Sequence, residues 1–331
     1  MNRRVFAGVV AASLCFGLFT TYEHVIARGM AYFAEGADQY RNYLAMFDGT
    51  AGNPIQYRVL AAWLEALLVH ATAALGVPNH FTVSFIALRV AEDTAVFLLA
   101  FAYYRKLGLS PASCFIGQSL LAWGMSYGHH NTDLRFDTYL DMAFYLAAGW
   151  CLLSGRVLWI LPLMVLAALN RETSGMIPLL LLAHFAARQR AAGGRVRLEP
   201  REWLLVGAAF AIYFAVFVAL RLSFPPQRTI LPEDTPLGLP VLAYNLTRRL
   251  TWVQLFAVLG IVPFAAWAGR RSWPDELRLF AWALVPVWFV VHAFVSVVAE
   301  SRLFLVPQAL VFVPGAMFWV EESVGRVPTR P

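Results

Sequence analysis

Apolar segments of about 15 to 24 residues follow one another along the whole chain, and a helix of about 20 residues is what it takes to cross a hydrocarbon layer about 30 Å thick. That recurrence constrains the fold more than any motif does. In 331 residues it leaves room for eight to eleven crossing helices and little else. The charged fraction is 14%, well under the quarter usual in soluble domains, and the mean hydropathy is +0.60. The expected architecture is all-α: a polytopic helical membrane protein, one transmembrane domain over 1–331 with no soluble domain appended.

Predicted spans lie at 5–22, 81–104, 110–127, 136–154, 156–169, 174–187, 203–222, 252–269, 279–298 and 303–320, ten in all, with both termini on one side. The first, "MNRRVFAGVVAASLCFGLFTTY", has the basic start and apolar run of a signal peptide but no small-x-small site ahead of a polar segment. It is read as an uncleaved span. The segment 57–76 is also apolar, yet it carries Arg58, Glu65 and His70, which places it as an amphipathic helix at the outer surface. Cys15, Cys114 and Cys151 fall inside apolar segments, where packing suits them better than a disulfide framework.

With the N-terminus inside, fifteen arginines and lysines fall on inner segments and ten on outer ones, as the positive-inside rule requires. Acids run the other way, six inside and twelve outside. The net charge of +6 therefore reflects topology, and a nucleic-acid partner is not indicated. The outer side carries the long loops 23–80 and 223–251, five of the seven histidines, and the turns "GHHNTDLRFD", "NRET" and "ESR". Polar side chains gathered on one membrane face, with little aqueous domain to solvate, point to a cavity open to that face.

The first outer loop is the densest of these, "GADQYRNYLAMFDGTAGNPIQYRVL" at 36–60. Phe33, Ala37, Tyr40, Leu44 and Phe47 alternate steps of four and three, one stripe of a helix. Glu35, Asp38, Arg41 and Asn42 lie off that stripe, so the apolar side can rest on the bilayer while Asp38 turns toward water or substrate. "DGTAGNP" breaks the chain. Tyr57 begins a second helix with Leu60, Leu64, Leu67, Leu68 and Ala71 on one side and Arg58 and Glu65 on another.

Two other polar groups stand out. Arg89, Glu92 and Asp93 are three and four apart inside a predicted span, where charges should pair and face the interior, first of all as a structural clamp. His129, His130, Asp133 and Asp137 could hold a divalent metal, but adjacent histidines rarely aim at one ion, so no metal or other cofactor is expected. Pro162 and Pro178 interrupt short spans, which is also a transporter feature.

The stretches "DQYRNYLAMFDG", "NPIQYRVLAAWLEALL", "LAALNRETSGMIPLLL" and "AESRLFLVPQALVF" together resemble the GT-C superfamily of polytopic glycosyltransferases, in its small bacterial form. The resemblance covers the layout of nearly the whole chain. It implies a sugar moved from a polyprenyl-phosphate donor to a hydroxyl on a lipid, glycan or protein acceptor, with inversion, at the periplasmic face of a bacterial cytoplasmic membrane. In such enzymes an aspartate of the first outer loop is the base. Here that is Asp38, with Asp48 second because its "DGTAG" neighbours suit a turn.

Cations are also needed where phosphate charge develops. Arg58, Arg171 and Arg302 are expected to bind the donor phosphate, since arginine's planar fork suits it. Pairing of Arg171 with Glu172 or another acid, and of Arg302 with Glu300, to tie helix ends, is the other reading of those turns. Tyr40, Tyr57, Asp133, Asp137, Glu172 and Glu300 are expected to position substrate. The alternative function is a transporter or flippase of a lipid-linked envelope intermediate. A weaker third is an acyltransferase using His129 or His130.

Overall fold

The computed structural model describes residues 3–130, 135–193, 197–228 and 235–325. Among these the regular structure is helical throughout, with no strand. The helices are α1 (Arg3–Arg28), α2 (Asp38–Phe47), α3 (Val59–Ala74), α4 (His80–Leu107), α5 (Pro111–Tyr127), α6 (Phe136–Leu153), α7 (Ile160–Asn170), α8 (Ile177–Ala191), α9 (Pro200–Ser223), α10 (Leu239–Thr247), α11 (Arg249–Leu259), α12 (Val262–Ala268) and α13 (Asp275–Val295). A last helical run, Ser301–Ser323, is called the C-terminal helix.

Four helices are long and apolar enough to cross a membrane: Val5–Arg28 within α1, α9, α13 and the C-terminal helix. The pair α11 and α12, bent by 64°, makes a fifth if it is one span. Helices also stand at the remaining segments expected to cross, but α5, α7 and α8 are shorter, and α4 and α6 are interrupted by Arg89, Glu92 and Asp93 and by Asp137 and Asp141. Exposure sorts the apolar four. The C-terminal helix is 83% buried and runs through the middle of the bundle, whereas α9 is 11% buried and shows Trp203, Leu204, Phe214, Val218 and Leu222 outward. A continuous apolar surface of that kind suits lipid and not water.

The C-terminal helix holds its central place through an irregularity. A π-turn over Gln308–Phe312 is followed by Pro314, which has no N–H to offer one turn back. The carbonyls there would be buried without donors. The Tyr104 hydroxyl donates to the Ala309 carbonyl (2.9 Å) and the Tyr103 hydroxyl to the Leu310 carbonyl (3.0 Å), so α4 supplies what the proline withholds.

The segment between α1 and α4 folds inside out. Phe33 does not continue the stripe of α2, because it belongs to a separate 3-10 turn, Met30–Phe33, and is buried against His24 and Phe85. The helix starts only at Asp38. From there Leu44 and Phe47 are exposed, while Gln39, Asn42, Tyr43 and Met46 turn inward onto a cleft. In α3, similarly, Trp63 and Leu67 point out and Ala61, Ala62 and Glu65 point in. An apolar face turned outward suits two helices that lie at the edge of a bilayer.

Packing of α1 on α4 sets the frame of that end of the bundle. A Cβ placed on Gly17 would sit 2.5 Å from Thr94 Oγ1 and 2.9 Å from the Thr94 backbone nitrogen, so the helices approach as closely as only a small residue allows. The substitution Gly17→Leu is therefore expected to cost about 1–3 kcal/mol or more through overpacking. Gly8→Leu on the same helix, with nothing within 4 Å of its Cβ, should be near neutral. Thermal unfolding of the detergent-solubilised protein compares the two.

Candidate functional site

Four helix ends meet beneath the inside-out loop. Arg58 stands just before α3, Asp137 in the first turn of α6, Arg171 just after α7, and Arg302 at the start of the C-terminal helix. Arg58 Nη1 lies 2.8 Å from Asp137 Oδ2, and Arg58 Nη2 lies 3.4 Å from Glu172 Oε2. Arg171 Nη1 approaches the same Asp137 oxygen at 3.7 Å. Arg302 donates to Glu300 at 2.9 Å and to the Thr138 hydroxyl, one residue beyond Asp137, at 3.2 Å.

A second set of bonds fixes these ends. The Asn170 amide donates to the Asp137 carbonyl (2.9 Å), Thr173 donates to Asp141 (2.6 Å), and the Tyr213 hydroxyl donates to the Glu172 carbonyl (3.0 Å). Asp137 sits in a helical first turn, where the N-terminal dipole favours a negative charge. Burial works against the charge on Arg58, and the carboxylates of Asp137, Glu172, Asp141 and Glu300 more than offset it, holding the guanidinium above its ordinary range. Arg171 is held below its ordinary value, by burial first and then by Arg58. Two arginines thus share one buried carboxylate.

Above Asp137 opens the cleft. Its walls are Gln39, Asn42, Tyr43 and Met46 of α2, Ala61, Ala62 and Glu65 of α3, and Arg58, Arg135, Phe136 and Asp137 below. It is narrow and opens to one side. Burial first, and Glu65 next, raise the pKa of Tyr43, which keeps its hydroxyl a donor. Under the cleft lies a fully buried layer. Arg89 bonds Glu92 at 2.7 Å and stacks over Phe136 (4.5 Å) and Tyr139 (5.1 Å), while Asp93 accepts from Thr20 (2.7 Å) and Thr21 (3.1 Å). That is the clamp between α1, α4 and α6 that the spacing of these charges suggests.

The structure brings together Arg58, Arg171, Asp137 and Glu172, with Arg302 and Glu300 beside them. The partner of Arg171 is Asp137, which was expected only to position substrate. Asp38 stays apart. It is more than half exposed, pairs with Arg41 of its own helix, and does not line the cleft. Asp48, exposed at the end of α2, does not line it either.

Tyr40 packs edge-on to Phe81, and Tyr57 lies under Arg221 with 4.4 Å from guanidinium carbon to ring centre. Neither tyrosine lines the cleft. Asp133 lies outside the described residues. His129 stacks on His24 and His130, and among the described residues no three His, Cys, Asp or Glu side chains are grouped as a metal would need. The residues that sequence reasoning passed over are Gln39, Asn42, Tyr43 and Arg135, and above all Glu65, whose only signal was a shared helix face with Arg58.

Removing the Asp137 charge leaves Arg58 and Arg171 buried against each other. Asp137→Asn is expected to destabilise the protein by about 3–5 kcal/mol, the usual cost of breaking a buried ion pair, whereas Asp38→Asn should stay within about 0.5 kcal/mol; chemical or thermal unfolding in detergent measures both.

His129 gives a pH dependence. Burial first, then His130, Arg28 and Arg89, push its pKa down from 6.5 to about 3. A depressed histidine contributes stability that is present above pH 6.5 and is lost as pH falls toward 3. His129→Asn should flatten that acid-side loss relative to the wild type in thermal unfolding between pH 8 and 4. No protein-family model, curated protein or solved structure matches this chain.

Proposed function

We propose that the chain is an integral-membrane glycosyltransferase that moves a sugar from a polyprenyl-phosphate donor to an acceptor hydroxyl, with inversion, at the outer face of a bacterial cytoplasmic membrane. In this reading ten segments cross the membrane, both termini lie in the cytoplasm, and the cleft opens on the periplasmic side. The observation that carries it is the meeting of Arg58, Arg171 and Arg302 from three separate helix ends around Asp137, directly beneath a cleft walled by Gln39, Asn42, Tyr43 and Glu65. Guanidinium groups suit a leaving phosphate, and amide, phenol and carboxylate side chains suit a polyhydroxyl ring.

In the reaction the acceptor oxygen attacks the anomeric carbon, the bond from that carbon to the phosphate oxygen breaks, and the phosphate departs with the electron pair. The acceptor proton passes to a carboxylate. Glu65 is favoured over Asp38 for this role because it lines the cleft that Arg58 lines, while Asp38 faces outward beside Arg41. General-base help is worth about a hundredfold to ten-thousandfold.

The phosphate must take arginine N–H groups that now face carboxylates. Glu172 is the one to yield, since its contact with Arg58 is long at 3.4 Å and its side chain is 24% exposed against 2% for Asp137. The cleft is narrow, and a swing of α2 would widen it for a sugar. Gly36 and Gly49 bracket α2 with φ of +81° and +70°, in the region that favours glycine, and they are suited to act as its hinges.

A transporter of the same lipid would hold its substrate near the bilayer midplane between broken helices. The cluster residues here all lie at helix ends, which favours transfer at a surface. The test is release of polyprenyl phosphate from a panel of polyprenyl-phosphate sugars, followed by mass spectrometry with envelope extract as acceptor. Wild-type membranes should release it, with Arg58→Gln and Glu65→Gln each lowering the rate about a hundredfold or more and Glu172→Gln and Asp38→Asn retaining most of it. No release by folded wild-type protein on any donor would overturn the reading in favour of transport.

A further inference from the structure

A second groove lies at the opposite end of the bundle from the cleft. There Ser110, before α5, bonds Glu321 at the end of the C-terminal helix, and the turn from α12 to α13 packs alongside. The groove has a volume of about 410 Å³ and runs between α13 and the π-turn of the C-terminal helix. Its mouth carries Arg270, Arg271 and Arg278, its walls Trp267 and Trp282, and its floor Val285, Pro286, Val311 and Phe312. None of its lining residues is acidic.

From this juxtaposition of three arginines with an apolar floor, we propose that the groove is a binding site for an anionic glycerophospholipid, with the phosphate at the arginines and an acyl chain along α13.

The dimensions agree with that occupant. From Asp275 to Pro286 the helix rises about 16 Å, close to the depth of one leaflet of a hydrocarbon core about 30 Å thick. Tryptophan and arginine at the mouth are the side chains that settle at a membrane interface. The mouth is also prepared for an anion. Arg270 is held over the Trp267 ring at 4.6 Å and donates to the Trp267 carbonyl, and Arg278 donates to the Trp273 carbonyl, whose own ring N–H is fixed on the Gly315 carbonyl. Asp275 neutralises Arg278 at 3.2 Å, which leaves Arg270 and Arg271 to meet the headgroup. A zwitterionic phospholipid would bring a cation against those two arginines, so charge selects the anionic class. The inference needs only that the protein is embedded in lipid, and it is independent of the chemistry proposed for the cleft.

The test uses the full chain in lipid nanodiscs containing phosphatidylglycerol or phosphatidylcholine with a photoreactive acyl chain, and maps the labelled peptides by mass spectrometry. Labelling of the peptide that contains Trp282 to Pro286 should favour phosphatidylglycerol about tenfold, since each interfacial arginine contributes to attraction of an anionic lipid. The preference should fall toward unity in Arg270→Gln/Arg271→Gln. Equal labelling by the two lipids in the wild type would overturn the proposal, and so would a preference that the folded double variant keeps. Should that variant fail to fold, the wild type in high salt decides the matter: screening should erode a headgroup preference set by charge and leave one set by shape unchanged.

Discussion

The ion pair between Arg58 and Asp137 holds the candidate site together, because it ties the start of α3 to the first turn of α6 where the other helix ends meet. Without it Arg171 loses the carboxylate it shares. Such a pair is not a source of net stability. Two charges taken from water cost several kcal/mol each, and their attraction roughly repays that only when the geometry and the remaining hydrogen bonds are good. What the pair supplies is position. Asn170 on the Asp137 backbone and Thr138 on Arg302 show that each neighbouring helix end is keyed to the same residue or the next one.

That arrangement explains why the two loop helices present polar faces inward. In water an amphipathic helix hides its apolar stripe, and the polar stripe is free to face solvent. At a bilayer edge lipid takes the apolar stripe, so Leu44, Phe47, Trp63 and Leu67 need no protein partner, and the polar residues Gln39, Asn42 and Glu65 can serve as the cleft wall. The helix α2 therefore has little apolar anchorage to the bundle beyond Tyr40 and Tyr43 on Phe81. A segment so held, and bracketed by two glycines in left-handed conformation, is the natural moving part of the cleft.

Helical architecture was legible in the sequence because every apolar run reports itself by length. The arginine and carboxylate turns were legible too, since "NRET" and "ESR" interrupt apolar runs and a charge there has to be answered by another. Glu300 answers Arg302 within its own turn, as that turn suggests, but the acid that answers Arg171 was left open. Arg171 finds Asp137, 34 residues away in sequence, and not its neighbour Glu172, because that pairing depends on how α6 and α7 pack. The stripe that set Asp38 against the apolar face was a real period, but it was traced through Phe33, which the chain places in a separate turn. With the helix starting at Asp38, the inward face falls on Gln39, Asn42 and Tyr43. Glu65 was noted beside Arg58 but given no site role for a related reason: charges on an apolar helix read as its solvated side, and only the packing of α3 against α4 and α7 makes that side interior.

The division of labour along the bundle follows from the same electrostatics. At the cleft end Arg58, Arg171 and Arg302 each face a carboxylate, with Asp137 shared by two of them, so under the proposed function an incoming phosphate has to compete with Glu172 and Glu300. At the other end Arg270 and Arg271 stand at the mouth of an apolar groove that no acidic residue lines among the described residues, where a lipid phosphate meets no competitor. Just under the cleft, the Arg89, Glu92 and Asp93 layer joins α1, α4 and α6, with Arg89 on Glu92 and Asp93 on Thr20 and Thr21. Arg89 is fully buried there, stacked on Phe136 and Tyr139, and moving it would break the clamp that joins the three helices. A rearrangement confined to α2 and the Glu172 side chain leaves that clamp intact.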